Sequence, residues 1–310
     1  MHKQKLIINR LLSIIILQLF LFLIYYIYIS FVKTTYIHYI TPNTTHIISH
    51  STNYLPTSLE FNKILDSKIA QEELIKKIKR IAPHSTEDIV SIDNKFVKPI
   101  LYTKSIPLSK LSIKEKKQKF IDMMIPSILV AKQQLKYKRE RVAKLILQKD
   151  ISYKDQEWLA QKREKFKALD NYELYNKMET HPTSIIIAQA IIESGWGTSK
   201  FFQKANNVFG VWSFDSKEKR LSASKKRGNR TIYLKKYQSM EASIYDYLLT
   251  LSKKDDYKDF REKRLETKDP YKLADYLTKY SEEREKYTKR VKDMIKKNRL
   301  ARYDKYQLDL

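Results

Sequence analysis

The chain has 310 residues, with 61 Lys+Arg against 35 Asp+Glu for a formal charge of +26, no cysteine, 4 glycines and 22 tyrosines. Without cysteine there are no disulfides, no Cys-ligated zinc, no thiol nucleophile and no lipid-modified N-terminal cysteine. With so little glycine, and neither G-x-G-x-x-G nor G-x-x-x-x-G-K-[ST] in the chain, no phosphate-cradling loop is expected and no cofactor is assigned.

Leu11 to Val32 is a 22-residue run without a charged side chain, preceded by Lys3, Lys5 and Arg10. As a helix it spans about 30 Å, the thickness of a bilayer's hydrocarbon core. The flanking charge keeps residues 1–10 in the cytoplasm and exports the rest. The run is longer than the h-region of a signal peptide and lacks small residues at a cleavage site, which favours an uncleaved single-pass anchor over a cleaved leader. This topology places the protein in the cytoplasmic membrane with its body on the extracytoplasmic, periplasmic side. It also removes nucleic acid as a partner, despite the phosphate-binding footprint that the basic excess suggests.

Residues 33–93 read as a stalk or spacer, rich in Thr, Ser, Asn and His at first and then offering a helix over Ser58 to Ile81. His38, His46 and His50 have no metal-ligand spacing, so no metal is assigned. Residues 94–181 read as the helical first part of the body, with a long apolar pattern from Ser112 to Leu147 that Pro126 should kink or break. Shorter helices follow around 153–168 and 171–178. After Pro182 the run IIIAQAII is apolar nearly all round, which means a buried helix, stopped by Gly195 and Gly197. Residues 211–237 hold β-prone pieces around a basic turn and read as a hairpin or small β lobe. Helical patterns return at about 240–252, 255–264, 270–279 and 282–299, and 301–310 reads as a tail. The expected fold class is α+β, predominantly α, with residues 182–300 as its chemical part.

Three of the four glycines and two of the three tryptophans fall within SGWGTSKFFQKANNVFGVW. Glu193 sits at the end of the buried helix with Gln189 one turn before it on the same face. Desolvation and the negative end of the helix dipole both raise a carboxyl's pKa there, and a carboxylic acid kept protonated near neutral pH is what protonating a glycosidic oxygen requires. A Glu that merely ends a helix is the plainer alternative. Trp196 and Trp212 are candidates for stacking on sugar rings, and Asn206 and Asn207 for hydrogen bonds to acetamido or hydroxyl groups. Core filling and turn formation compete with those roles.

The string A-Q-A-I-I-E-S-G-W-G-T-S-K-F followed by N-N-V-F-G-V-W resembles the signature of bacterial endo-β-N-acetylglucosaminidases of glycoside hydrolase family 73, the Bax-like group in particular. P-I-L-Y-T-K-S-I-P-L, K-E-K-K-Q-K-F-I-D-M-M-I-P and Y-S-E-E-R-E-K-Y extend the resemblance over roughly residues 94–299. It implies a lysozyme-like fold, a helical body with a small β lobe across a cleft, and hydrolysis of the β-1,4 bond after N-acetylglucosamine in peptidoglycan. It also implies Glu193 as general acid, and Tyr280 and Tyr287 as a tyrosine pair whose second member faces the cleft. Ser194, Trp196, Asn207, Phe209 and Gly210 are implied to shape the sugar site. The family's second carboxylate would fall near Tyr233, where R-T-I-Y-L holds no acid; Asp215 and Glu218 are the lobe's other candidates. A lytic transglycosylase, which needs one acid only, and a glycan-binding protein without turnover are the alternative functions.

Overall fold

In a computed structural model the described residues are 72, 74–227 and 230–310, with the side chains of 224–230 outside the description. The expected anchor, Leu11 to Val32, and most of the stalk lie outside them. Among the described residues no helix is long and apolar enough to cross a membrane.

A capping box opens α1 (Ile113–Leu147): Ser112 Oγ accepts from Glu115 N at 3.3 Å, and Ser112 N donates back to Glu115 Oε2 at 3.1 Å. Of the kink or break expected at Pro126, the break does not occur: the 35-residue helix runs through it. It lies in the helix's most deeply buried stretch, where residues 120–131 are all covered by the core, and Ser127 Oγ donates to the Met123 carbonyl at 2.9 Å beside it. Packing against α3 (Asn171–Lys177), α4 (Thr183–Ser194) and α6 (Met240–Lys253) carries the helix through the proline.

The expected buried helix is α4. Every residue from Thr183 to Ile191 is buried, and α1, α8 (Pro270–Ala274), α9 (Glu285–Lys297) and the 3-10 turn Leu300–Lys305 pack around it. Ile185, Ile186, Ile187 and Ile191 each contribute about 1.5–3 kcal/mol by leaving water. Pro182 occupies the N-cap and has no side chain to offer the helix's first N–H groups. Asp304 supplies that cap from the far end of the chain. Its Oδ1 accepts from Ser184 N at 2.7 Å and its Oδ2 from Ser184 Oγ at 2.8 Å.

The remaining helices α2 (Tyr153–Phe166), α6, α7 (Lys258–Glu266), α8 and α9 fall close to the expected positions, and the short α5 (Lys200–Ala205) was not expected. So does the β lobe, an antiparallel hairpin of β4 (Arg220–Arg227) and β5 (Arg230–Lys235) with a register shift between Ser222 and Lys226. Two small parallel pairs were not expected. In one, β1 (Lys79–Ile81) runs beside β3 (Ile100–Tyr102); in the other, β2 (Phe96–Val97) runs beside β6 (Gln307–Leu308).

These pairs correct three expectations. Lys79 to Ile81 are strand, not the end of a helix. Residues 79–93, assigned to the stalk, join the body through β1 and the buried Ile89. Residues 301–310, expected to be a tail, dock through β6, Asp304 and the buried Tyr303.

Candidate active site

α4 ends at a three-residue left-handed turn, with φ of +59° at Gly195, +59° at Trp196 and +76° at Gly197. Gly197 is also fixed by crowding, since a Cβ there would lie 3.0 Å from both the Phe120 and the Phe202 rings. Ser194 Oγ donates to Ala190 O at 2.6 Å and accepts from Gly197 N at 3.0 Å, so its hydroxyl closes the turn. This stop leaves Glu193 on the last turn of a buried helix with its carboxyl partly covered.

Burial raises the pKa of Glu193 above its ordinary value. A hydrogen bond from Tyr287 Oη to Glu193 Oε1, 3.1 Å, pulls the other way, as does the charge of Arg290. Tyr287 comes from the start of α9 and is 2% exposed. Tyr280 ends the preceding 3-10 turn and stacks on Tyr287, with centroids 5.3 Å apart and ring planes 17° apart. Gln189 Nε2 donates to Tyr287 Oη at 3.0 Å. The structure thus brings together Glu193, Gln189, Tyr280 and Tyr287, four of the residues singled out from sequence. Burial pushes the phenol pKa values of Tyr280 and Tyr287 far up, so both stay neutral.

Phe209 and Tyr247 continue this aromatic wall, stacked at 4.2 Å, and Tyr247 meets Tyr280 edge to face at 6.2 Å. Gly210, φ +64°, faces open space: no atom lies within 4 Å of where its Cβ would be. Trp212 is 41% exposed beside Phe214, whose ring is 6.1 Å away and 86% exposed. It also bridges to Leu234 of β5. This exposed aromatic pair on the lobe is suited to stacking on a sugar. Trp196 is placed differently, packed edge to face on Phe120 at 5.7 Å with Lys117 Nζ 4.9 Å from its ring centroid.

The two asparagines require a correction. Asn206 Nδ2 donates to Thr103 O at 2.8 Å and Tyr237 O at 3.1 Å. Asn207 Nδ2 donates to Val211 O and Lys235 O, both at 2.9 Å, and its Oδ1 accepts from Val211 N at 2.9 Å. Both amides have spent their N–H groups on backbone carbonyls. They root the β lobe in the body, and neither has a donor left for a sugar.

Asp215 and Glu218, the lobe's candidates for a second carboxylate, both have partners within the lobe. Tyr233 lies under the Arg220 guanidinium, whose Cζ is 4.0 Å from the centroid of the tyrosine ring. Asp215 Oδ1 accepts from Lys217 N at 2.8 Å, and Glu218 pairs with Lys235 at 3.4 Å. The carboxylate whose charge raises Glu193 is Glu283, in the loop before α9 and paired with Arg290 at 2.5 Å. Glu283 lies inside Y-S-E-E-R-E-K-Y, but spacing alone does not distinguish it from Glu282 or Glu285. His181 and Tyr247, which continue the hydrogen bonds behind Tyr287, also escaped the sequence reading.

Residues 168–300 match the glucosaminidase family model, described as mannosyl-glycoprotein endo-beta-N-acetylglucosaminidase. A 38-residue stretch is 60% identical to the exo-glucosaminidase LytG of Bacillus subtilis (strain 168), covering 12% of this chain and only 13% of that protein. The catalytic domain of the autolysin Auto from Listeria monocytogenes is 19% identical with a TM-score of 0.34, over 54% of this chain and 96% of that one. A peptidoglycan hydrolase from Sphingomonas sp. A1 is also 19% identical with a TM-score of 0.34, over 47% and 85%. Superpositions this loose add nothing to the geometry. Glu193 and its tyrosines lie inside the stretch, residues 168–300, that matches the glucosaminidase family model.

Proposed function

We propose that the protein is an endo-β-N-acetylglucosaminidase that hydrolyses the β-1,4 bond after N-acetylglucosamine in peptidoglycan, with Glu193 as general acid. The observation that carries this reading is a carboxyl with a raised pKa, half-covered at the end of α4 and held by Tyr287, inside the stretch that matches the glucosaminidase family model. The helical body and the β4–β5 hairpin are taken as the two walls of a lysozyme-like cleft. Glu193 gives its proton to the glycosidic oxygen as the bond to the anomeric carbon breaks, and water completes the hydrolysis. The lobe aromatics Trp212 and Phe214 and the face above Gly210 are the sugar contacts.

One observation favours a second reading. Asp215 and Glu218 are engaged within the lobe, and a lytic transglycosylase works with a single acid and leaves an anhydro sugar. Mass spectrometry of products from purified sacculi separates the two. Reducing-end N-acetylglucosamine supports the hydrolase, anhydro-muramyl ends support the transglycosylase, and no products at all leave a glycan-binding protein. Glu193→Gln should abolish product release in a chain that still folds; unchanged turnover would reject Glu193 as the acid.

The same reading tethers the enzyme to the cytoplasmic membrane through residues 11–32, with its domain outside. Its support is the uncharged 22-residue run behind Lys3, Lys5 and Arg10. A protease added to intact spheroplasts should then remove the chain beyond about residue 33, and full protection would reverse the orientation.

A further inference from the structure

The tyrosine that binds Glu193 belongs to a hydrogen-bonded chain that crosses the core. His181 Nε2 lies 3.0 Å from Tyr247 Oη. Tyr247 Oη donates to Gln189 Oε1, Gln189 Nε2 donates to Tyr287 Oη at 3.0 Å, and Tyr287 Oη donates to Glu193 Oε1 at 3.1 Å. His181, Gln189, Tyr247 and Tyr287 are all at most 2% exposed, so water does not compete for these bonds.

A tyrosine hydroxyl has a single proton to give. Tyr287 gives its proton to Glu193, so the Gln189 amide must turn its NH2 to Tyr287 and its carbonyl to Tyr247. That commits the Tyr247 proton to Gln189, and His181 Nε2 must be the donor to Tyr247. The direction of all four bonds is therefore set by the histidine tautomer. With the proton on Nδ1 instead, Nε2 would accept from Tyr247, the Gln189 amide would turn over, and Tyr287 would donate to Gln189 instead of Glu193.

The surroundings of His181 select the tautomer. Its Nδ1 is buried and without a hydrogen-bond partner among the described residues, and so are Nε and Nη1 of the fully buried Arg264. Arg264 uses Nη2 on Lys177 O at 2.8 Å. On α7 it lies one turn after Phe260, whose ring sits 5.1 Å from the imidazole, centroid to centroid. A buried N–H left without an acceptor is rarer than a buried acceptor left without a donor, so the unpartnered Nδ1 is the lone-pair nitrogen and the proton sits on Nε2. Burial, Arg264, Lys132 from α1 and Lys268 from the α7–α8 link together push the His181 pKa well below 6.5, while Tyr247 on its α6 side is neutral.

We propose that His181 is a positioning residue for the acid: its Nε2–H tautomer directs the chain so that Glu193 Oε1 always accepts, leaving the carboxyl proton on Oε2. The activity side of this proposal rests on Glu193 being the general acid; the direction of the chain does not. The groups facing Glu193 are Tyr287 and Arg290 of α9, Glu283 of the loop before it, Tyr280 of the 3-10 turn and Tyr247 of α6. Of these, the Tyr287 bond is the one the histidine controls. Losing it raises the Glu193 pKa further and moves the basic limb of the pH–rate profile to higher pH.

The direct test is ¹⁵N NMR of the full chain labelled at histidine, with the His181 signals assigned by their loss in His181→Gln. A neutral Nε2–H ring throughout the active pH range is expected, and an Nδ1–H ring or an imidazolium overturns the proposal. In activity, His181→Phe and Tyr247→Phe should lower kcat about tenfold, leave KM within about twofold and raise the basic limb, whereas His181→Gln, which keeps a donor, should restore it. Tyr247→Phe added to Tyr287→Phe should cost nothing further. An unmoved limb in folded Tyr247→Phe, or additive losses in the double variant, overturns the proposal. If the wild type releases no products, the functional reading fails, and the NMR result still decides the direction of the chain.

Discussion

Glu193 binds its proton more tightly in the folded chain than in the unfolded one, because the fold takes its carboxyl out of water. In the pH range just above the ordinary carboxyl value of 4.5 the folded state therefore holds more protons than the unfolded state, and stability falls as pH rises through that range. Glu193→Gln removes this cost. The variant should melt at a higher temperature than the wild type near pH 7, with the gap closing below about pH 4, where both states are protonated. Melts by circular dichroism at the two pH values check it, and a variant that is less stable at both would mean that Glu193 serves the fold. Tyr287 limits how far the shift goes, since its hydroxyl is the strongest of the influences that favour the carboxylate.

At the scale of elements, the stop of α4 and the root of the β lobe place the chemistry. The stop was legible: IIIAQAII can only be a buried helix, and Gly195 and Gly197 can only end it. The hairpin was legible from its β-prone pieces. The lobe's root was not, because an asparagine amide shows nothing in sequence of the carbonyls it will bind, and those of Asn206 lie 103 and 31 residues away. The hydrogen bonds behind Tyr287 were hidden for the same reason, with 66 residues between His181 and Tyr247 and 58 between Tyr247 and Gln189. Asn207→Ala should cost about 2–3 kcal/mol, by leaving Val211 N, Val211 O and Lys235 O without their partner. Activity should fall through a misplaced lobe while the pH profile keeps its shape. A pH profile that moves would tie Asn207 to the acid instead.

For the whole molecule, the +26 charge is concentrated in part on the lobe. Residues 217–236 hold nine basic side chains against Glu218, and this charge suits an anionic polymer lying along the hairpin. The body is closed at the other end of α4 by residues 300–308, which carry Asp304 to Ser184 and pair β6 with β2. Burial raises the pKa of Asp304, opposed by its bonds to Ser184 and by the charge of Lys132, which itself donates to Thr183 Oγ1 at 3.1 Å. Asp304→Ala should lower stability by about 1–2 kcal/mol, the usual worth of a helix cap, which is several degrees in Tm. Thermal melts measure this, and an unchanged Tm would show that α4 needs no cap.

Asp304 lies 111 positions beyond the acid that its cap supports. A chain emerging residue by residue, from a ribosome or through a translocation channel, presents α4 well before its cap. Until residues 300–308 follow, the helix bearing Glu193 has an open N-terminus and β2 has an unpaired edge. The domain reaches its final stability only when residues 300–308 have followed α4 and docked, so the helix that carries Glu193 is completed last by its cap.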